Sequence, residues 1–298
     1  VNELSLIDRI RARAGAPGRR VLAGIGDDCA IYRPPPGRDL LFTTDLLLED
    51  VHFRADTHPP GAVGWRALAR GLSDIAAMGG EPEFCLLSLA LAAWTDTRWL
   101  DRFLSGFLKL ARRTNTTLAG GDLSRGARVA CDILVCGSVP KGKALRRDGA
   151  RAGDAIYVSG PLGGAALGLK KRRGAAWKKH AYPEPRLDLG KSLVGYASAA
   201  IDLSDGLALD LYRLCVASGV SAALEEVPVF RGATIAQALH GGEDYELLYT
   251  ARKPAPGIRI GTIVEGKPGA LVLDGRPLAP RGWDPFLRSK APTRAAVR

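Results

Sequence analysis

Among its 298 residues the sequence holds one methionine, four histidines and five cysteines. The cysteines (Cys29, Cys85, Cys131, Cys136 and Cys215) form no CxxC pair, and their number is odd. That excludes a disulfide-stapled framework and reads as reduced thiols, most of them in apolar runs. The histidines (His52, His58, His180 and His240) have no zinc-like spacing, which excludes a zinc finger or ribbon. No run of 18 apolar residues is present, so no membrane span is expected. The stretch VNELSLIDRIRARAG lacks the long apolar core of a secretory leader, and a cytoplasmic location is expected.

Two familiar phosphate motifs are missing as well. GSVPKGKA (137–144) approaches the phosphate-loop pattern with Gly137, Gly142 and Lys143. Ala144 stands where a hydroxyl should hold magnesium, and no helical pattern follows. SGPLGGAALG (159–168) bends after a strand-like run but has no GxGxxG and no acidic residue at dinucleotide distance. Its glycines are read as serving a tight turn or a close backbone approach.

What is present is a packed, basic chain. Apolar residues make up 46 % and charged residues 24 %, ordinary for a globular protein, and the net charge is +11. Most of that excess lies between Lys141 and Lys191, with 13 Lys or Arg against four acids. Strand-like runs occupy 39–47, 85–91, 129–139, 155–160, 258–266 and 270–275. Helical periodicity is clearest at 61–79 (Val63, Ala67, Ile75, Met78), at 97–113 (Leu100, Phe103, Leu104, Phe107, Leu108, Ala111) and from Leu207 through Leu211 to Leu214. The class is α/β or α+β. The basic, glycine-containing stretch 141–153 divides the chain into an N-terminal domain, 1–140, and a C-terminal domain, 141–298. LKKRRGAAWKKHAYPEPR (169–186) is expected to be a surface loop, and the tail SKAPTRAAVR to be disordered.

Acids recur beside Gly, Ser or Thr: Asp27 and Asp28 in GDDCA, Asp45 in FTTDLL, Asp74 in GLSDIAAMGG, Asp122 in AGGDLSRG, Asp202 and Asp205 in AIDLSDGL, and Glu243 and Asp244 in HGGEDYEL. Taken singly, each could cap a turn or a helix. So many sites in a basic chain point instead to a magnesium ion, which takes oxygen ligands and shares them with substrate phosphates. Asp74 falls within an apolar helix, where an unpaired carboxylate is costly and calls for a cation. Asp205 would lie at a helix start with Ser204 as N-cap, a place that favours anions. Arg146 and Arg147 can neutralise phosphate oxygens.

Together, GIGDDCA, FTTDLLLEDVHF, RGLSDIAAMGG, AGGDLSRG, ALRRDGARAGDAIYVSG, AIDLSDGLALDL and GGEDYELLYT resemble the thiamine-monophosphate kinases in motif and in order, from about residue 4 to 286. These belong to the ATP-binding superfamily of aminoimidazole ribonucleotide synthetase. The resemblance implies a two-domain α/β fold whose N-terminal domains pair into a homodimer through a β-barrel-like interface. It implies direct in-line transfer of the ATP γ-phosphoryl to thiamine monophosphate, with several Mg²⁺ ions between the phosphates. By the same resemblance, Asp28, Thr43, Thr44, Asp45, Asp74, Asp122, Asp202 and Asp205 match metal positions. Gly121, Asp122, Arg147 and Ser204 match nucleotide contacts. His52, Glu243 and Trp283 match positions at the substrate, and an indole suits a thiazolium cation. Asp27 is left to support its turn or a water. KKHAYPEPR departs from the family's RHLRP-x-PR, so the loop near the substrate could differ.

Two alternatives remain in view. Aminoimidazole ribonucleotide synthetase shares the chemistry but fits FTTDLLLEDVHF and GGEDYEL less well. A nucleic-acid-binding protein could use the basic segment, yet only Tyr157, Trp177 and Tyr182 interleave with its charges, which argues against nucleic acid as a partner.

Overall fold

The computed structural model describes residues 3–286, so the tail expected to be disordered lies outside the described residues. Helix α1 (Glu3–Ala14) and an antiparallel ribbon of β1 (Val21–Ala23) and β2 (Ile31–Tyr32) come first. A four-stranded sheet follows, built from β3 (Arg38–Leu48), β4 (Glu81–Ala92), β5 (Thr117–Gly126) and β6 (Ala130–Pro140) in the order β3-β6-β4-β5. Helices α2 (Pro60–Ala77) and α3 (Thr97–Arg113) pack together beside it.

Local chemistry explains these elements. Pro60 opens α2 at a position where its missing N–H costs nothing. Asp96 caps α3 by accepting from Trp99 N–H at 2.7 Å, and Arg112 and Arg113 complement the dipole at the far end. The expected apolar face of α3 is buried throughout, from Leu100 to Ala111. On α2, Val63, Ala67 and Ile75 are buried as expected, but Met78 is the C-cap and stands exposed. Gly64 lets the two helices touch: a Cβ there would lie 2.0 Å from the Phe103 carbonyl oxygen.

Residues 141–154 carry no helix or strand. Beyond them run β7 (Ala155–Val158), α4 (Gly164–Lys171), α5 (Gly174–Ala181), α6 (Leu187–Leu193) and β8 (Ala199–Asp202). Next are α7 (Leu207–Ser218), β9 (Ser221–Leu224), α8 (Ile235–His240), β10 (Leu247–Ala251), β11 (Ile258–Val264), β12 (Leu271–Leu273) and β13 (Arg276–Pro277). The strands form a seven-stranded sheet in the order β13-β12-β9-β11-β7-β10-β8. Leu207, Leu211 and Leu214 all point into its core.

The segment 169–186 is not a loop. It holds the end of α4 and all of α5, and Ala176, His180 and Ala181 are buried. Its charges hid this: Glu246, fully buried, pairs there with Lys179 and Arg186. Trp177 packs on His58 and His180, and Tyr182 on Trp65.

Candidate active site

Helix α2 packs between the two sheets. It touches β3 and β6 of the first sheet and also β8 of the second. A cavity of about 520 Å³ opens where they meet. Its wall includes Asp45, Asp74, Asp202 and Asp205 from the expected metal set. Ser204, His52, Glu243 and Trp283 line the same space.

Four carboxylates of that set, Asp45, Asp74, Asp202 and Asp205, share the wall. Asp74 follows Ser73 on α2, and Ser73 Oγ donates to Asp202 at 2.8 Å. Burial pushes the Asp202 carboxyl well above the usual range, and the charges of Asp74 and Asp210 push it further. Asp74 is raised in the same way, by burial and by Asp45, against the Thr43 hydroxyl that donates to it. Hard oxygen donors that repel one another in a half-buried wall fit a divalent cation such as Mg²⁺. Even so, among the described residues no group of three or more His, Cys, Asp and Glu side chains is arranged to hold a metal unaided. Protein cations hold two of the carboxylates: Arg70 bonds Asp45 at 2.6 and 2.8 Å, and Arg213 bonds Asp205 at 2.5 Å.

Not every expected residue reaches the cavity. Strand alternation puts Thr43 and Asp45 on the helix-covered face of β3 and Thr44 on the other, with the exposed Phe42 and Leu46. Asp122 is also exposed on that outer face, in register through Ser88 and Asp132 with Leu46. Its neighbour Gly121, at φ 151°, lies so close to the Leu87 carbonyl that a Cβ would be 1.9 Å away. Asp28 is exposed in the first turn, where Asp27 Oδ1 accepts its N–H at 2.9 Å. Arg147 is exposed outside the cavity wall, yet its charge lowers both Asp74 and Asp202.

Ser204 is not the helix cap. The N-cap of α7 is Gly206, at φ 120°, a conformation open to glycine because it lacks a Cβ. Asp210 reaches back from the first turn and accepts the N–H groups of Asp205 and Gly206, each at 3.0 Å. Those donors are therefore already paired. Asp244 does the same for α4, accepting from Gly163 and Ala165, which gives SGPLGG its purpose as a tight turn onto a helix.

A family model described as AIR synthase related protein, N-terminal domain, matches residues 26–139. Thiamine-monophosphate kinase of Salmonella typhimurium is 38 % identical over 269 residues, covering 83 % of this chain and 82 % of the relative. The chain belongs to the thiamine-monophosphate kinase family. The crystal structure of thiamine-monophosphate kinase from Stenotrophomonas maltophilia superposes with a TM-score of 0.82 at 35 % identity, over 93 % of this chain and 98 % of the other. AaThiL complexed with AMPPCP and TMP superposes with a TM-score of 0.79 at 32 % identity, over 95 % of this chain and 97 % of that one.

In this thiamine-monophosphate kinase family member two arginines that had not stood out in the sequence support the site, Arg70 in the cavity wall and Arg66 behind it. Arg66 is fully buried and ties three segments together: it donates to the carbonyls of His52 and His180 and to the Glu243 carboxylate. Arg70 lies one turn on, and Asp74 one turn further. Their spacing of four along α2 was the available signal. Glu243 is held in the left-handed region, at φ 67°. Burial pushes its carboxyl up, and the Arg66 and Arg70 cations reverse that, leaving it below the usual range. His52 accepts the Leu48 N–H through Nδ1 at 3.0 Å, so its proton belongs on Nε2. Burial, with Arg70 nearby, lowers it to about 4, which keeps it neutral.

Proposed function

We propose that this chain transfers the γ-phosphoryl group of ATP to thiamine monophosphate, giving thiamine diphosphate and ADP. One observation carries the reading: a single cavity gathers the repelling carboxylates Asp74 and Asp202 with the half-exposed indole of Trp283. The carboxylates suit a dication between two phosphate chains, and the indole suits a thiazolium ring. Family membership supports the same activity, and AaThiL is known with AMPPCP and TMP.

Bound Mg²⁺ would neutralise phosphate oxygens and hold two anionic substrates together. Asp45, Asp74, Asp202 and Asp205 line the cavity and would hold it, with Thr43 beside them donating its hydroxyl to Asp74. Asp28, Thr44 and Asp122 remain candidate ligands on the resemblance, as do Gly121, Asp122, Arg147 and Ser204 for the nucleotide. His52, with an Nε2–H donor, Glu243 and Trp283 are assigned to thiamine monophosphate. Direct transfer needs no covalent group, only placement and charge neutralisation. The assignment gives residues 1–140 the metal and the pairing of subunits, and 141–298 the completion of both substrate sites.

A homodimer formed through the N-terminal sheets is supported by the outer face of β3, where Phe42 and Leu46 are 62 % and 47 % exposed. A cytoplasmic location agrees with the buried free cysteines Cys85, Cys131, Cys136 and Cys215. Among the described residues no helix is long and apolar enough to cross a membrane.

The test is incubation with ATP, Mg²⁺ and thiamine monophosphate, followed by chromatography. Thiamine diphosphate and ADP in equal amounts are expected. ADP with orthophosphate and no thiamine diphosphate would overturn the acceptor, and no ATP consumption would overturn the activity.

A further inference from the structure

Behind Glu243 lies a buried chain of hydrogen bonds that phosphoryl transfer itself does not use. The Arg54 backbone N–H donates to Nδ1 of His58 at 3.2 Å, and Thr57 Oγ1 lies 2.9 Å from the same nitrogen. A ring nitrogen that accepts a backbone N–H carries no proton, so neutral His58 keeps its proton on Nε2. That Nε2 lies 3.0 Å from Nε2 of His180. Two ring nitrogens at this distance share one proton, so His180 accepts there and carries its own on Nδ1. Nδ1 of His180 is buried without a hydrogen-bond partner of its own. The group it faces is Glu243, whose Oε2 is 3.4 Å away.

The surroundings hold both rings neutral. His58 and His180 are 3 % and 1 % exposed, and Trp177 covers both. Burial, with the Arg66 cation beside them, lowers His58 to about 4 and His180 to about 3. Arg66 also holds the other oxygen of Glu243, Oε1. A donor on Oε2, added to the Arg66 donor on Oε1, would fix the plane of the carboxylate as one donor cannot.

We propose that His58 and His180 form a tautomer-locked relay, in which the Arg54 amide fixes the proton of His58, His58 fixes that of His180, and His180 Nδ1–H orients Glu243 toward thiamine monophosphate. His180 is thus a positioning residue. The relay rests on the proposed function in one respect, that Glu243 contacts this substrate.

With only four histidines, ¹⁵N-histidine labelling of the full chain resolves each ring in long-range ¹H–¹⁵N spectra. The expected result near neutral pH is His58 protonated on Nε2 and His180 on Nδ1. A His180 protonated on Nε2 would overturn the relay with no variant needed. In kinetics, H180L should raise the KM for thiamine monophosphate about tenfold over any change in the KM for ATP, as loss of a hydrogen bond to a charged group predicts. H180N, whose amide N–H₂ can replace Nδ1–H, should recover most of that loss. Equal shifts in both constants, or no recovery in a folded H180N, would overturn the positioning role. A wild-type chain that makes no thiamine diphosphate would overturn the activity, while the spectra would still decide the relay.

Discussion

Ser73 donates its hydroxyl to Asp202 across 2.8 Å, joining α2 to the last residue of β8. The bond draws Asp74, the next residue of α2, and Asp202 into one wall, although they come from opposite halves of the chain. The Asp74 charge disfavours the ionised form of Asp202, Asp45 disfavours that of Asp74, and burial disfavours both. A fold gains nothing from such a pair unless a cation arrives. The cost is the mark of a site built for a ligand.

Replacing Asp202 by Asn is expected to separate the two effects. The amide oxygen keeps the Ser73 bond while the repelling charge is gone. In chelator the D202N protein should gain about 1 kcal/mol, or about 2–4 °C in Tm. Its Mg²⁺-dependent turnover should fall at least ~100-fold. Calorimetry and the product assay check the two arms, and a lower Tm would mean that the carboxylate serves the fold.

The buried histidines give a pH signature of defined sign. The ordinary histidine value is about 6.5, whereas His180 is lowered to about 3. Below pH ~6.5 the unfolded ring gains a proton that the folded ring refuses, so stability falls as pH falls. Asp210 and Asp244, raised to about 6 by burial, act in the opposite direction, so total stability would blur the effect. The difference between wild type and H180N isolates it. That gap should narrow by about 2–3 kcal/mol between pH 6.5 and 4.5 in urea unfolding, and a constant gap would mean that His180 takes up its proton in the fold as readily as in the unfolded chain.

Several elements were legible because one face meets water. Helix α3 spans the predicted 97–113, and β3 agrees to a residue at each end. Strand β10 has all five positions buried, so no alternation announced it, and β5 runs through Gly120 and Gly121. The α4–α5 segment was misread because its partner Glu246 lies 67 residues from Lys179, beyond any local pattern. In the site, the recurring acids revealed the carboxylate wall. That Thr43 and Thr44 face opposite ways follows from the period of two in β3. That Arg70 and Arg213 hold Asp45 and Asp205 needed the fold.

Glu246 shows that the EDYE run mixes two duties. It is fully buried and held by Lys179, Arg186 and Ser159, outside the cavity wall. E246Q would leave two partly buried cations with a neutral acceptor and cost about 3 kcal/mol. Denaturant unfolding should register that loss. Turnover per folded molecule at low temperature should stay within about threefold, a barrier change of about 0.6 kcal/mol, since Glu246 does not line the cavity. A large fall in turnover with unchanged stability would move Glu246 into the site.

Trp283 tests the aromatic side of the cavity. Its backbone N–H donates to the Asp205 carbonyl at 2.9 Å, so the loop carrying it is tied to the carboxylate wall. The indole itself is 48 % exposed and free to cover a bound ring. Removing it in W283A therefore leaves the tie in place and deletes only the face. A cation on an indole contributes about 1–2 kcal/mol, so the KM for thiamine monophosphate should rise about 5- to 30-fold while that for ATP stays within about twofold. Because the deleted face would serve only a cationic acceptor, an equal change in both constants would mean that the residue shapes the cavity and does not recognise the thiazolium.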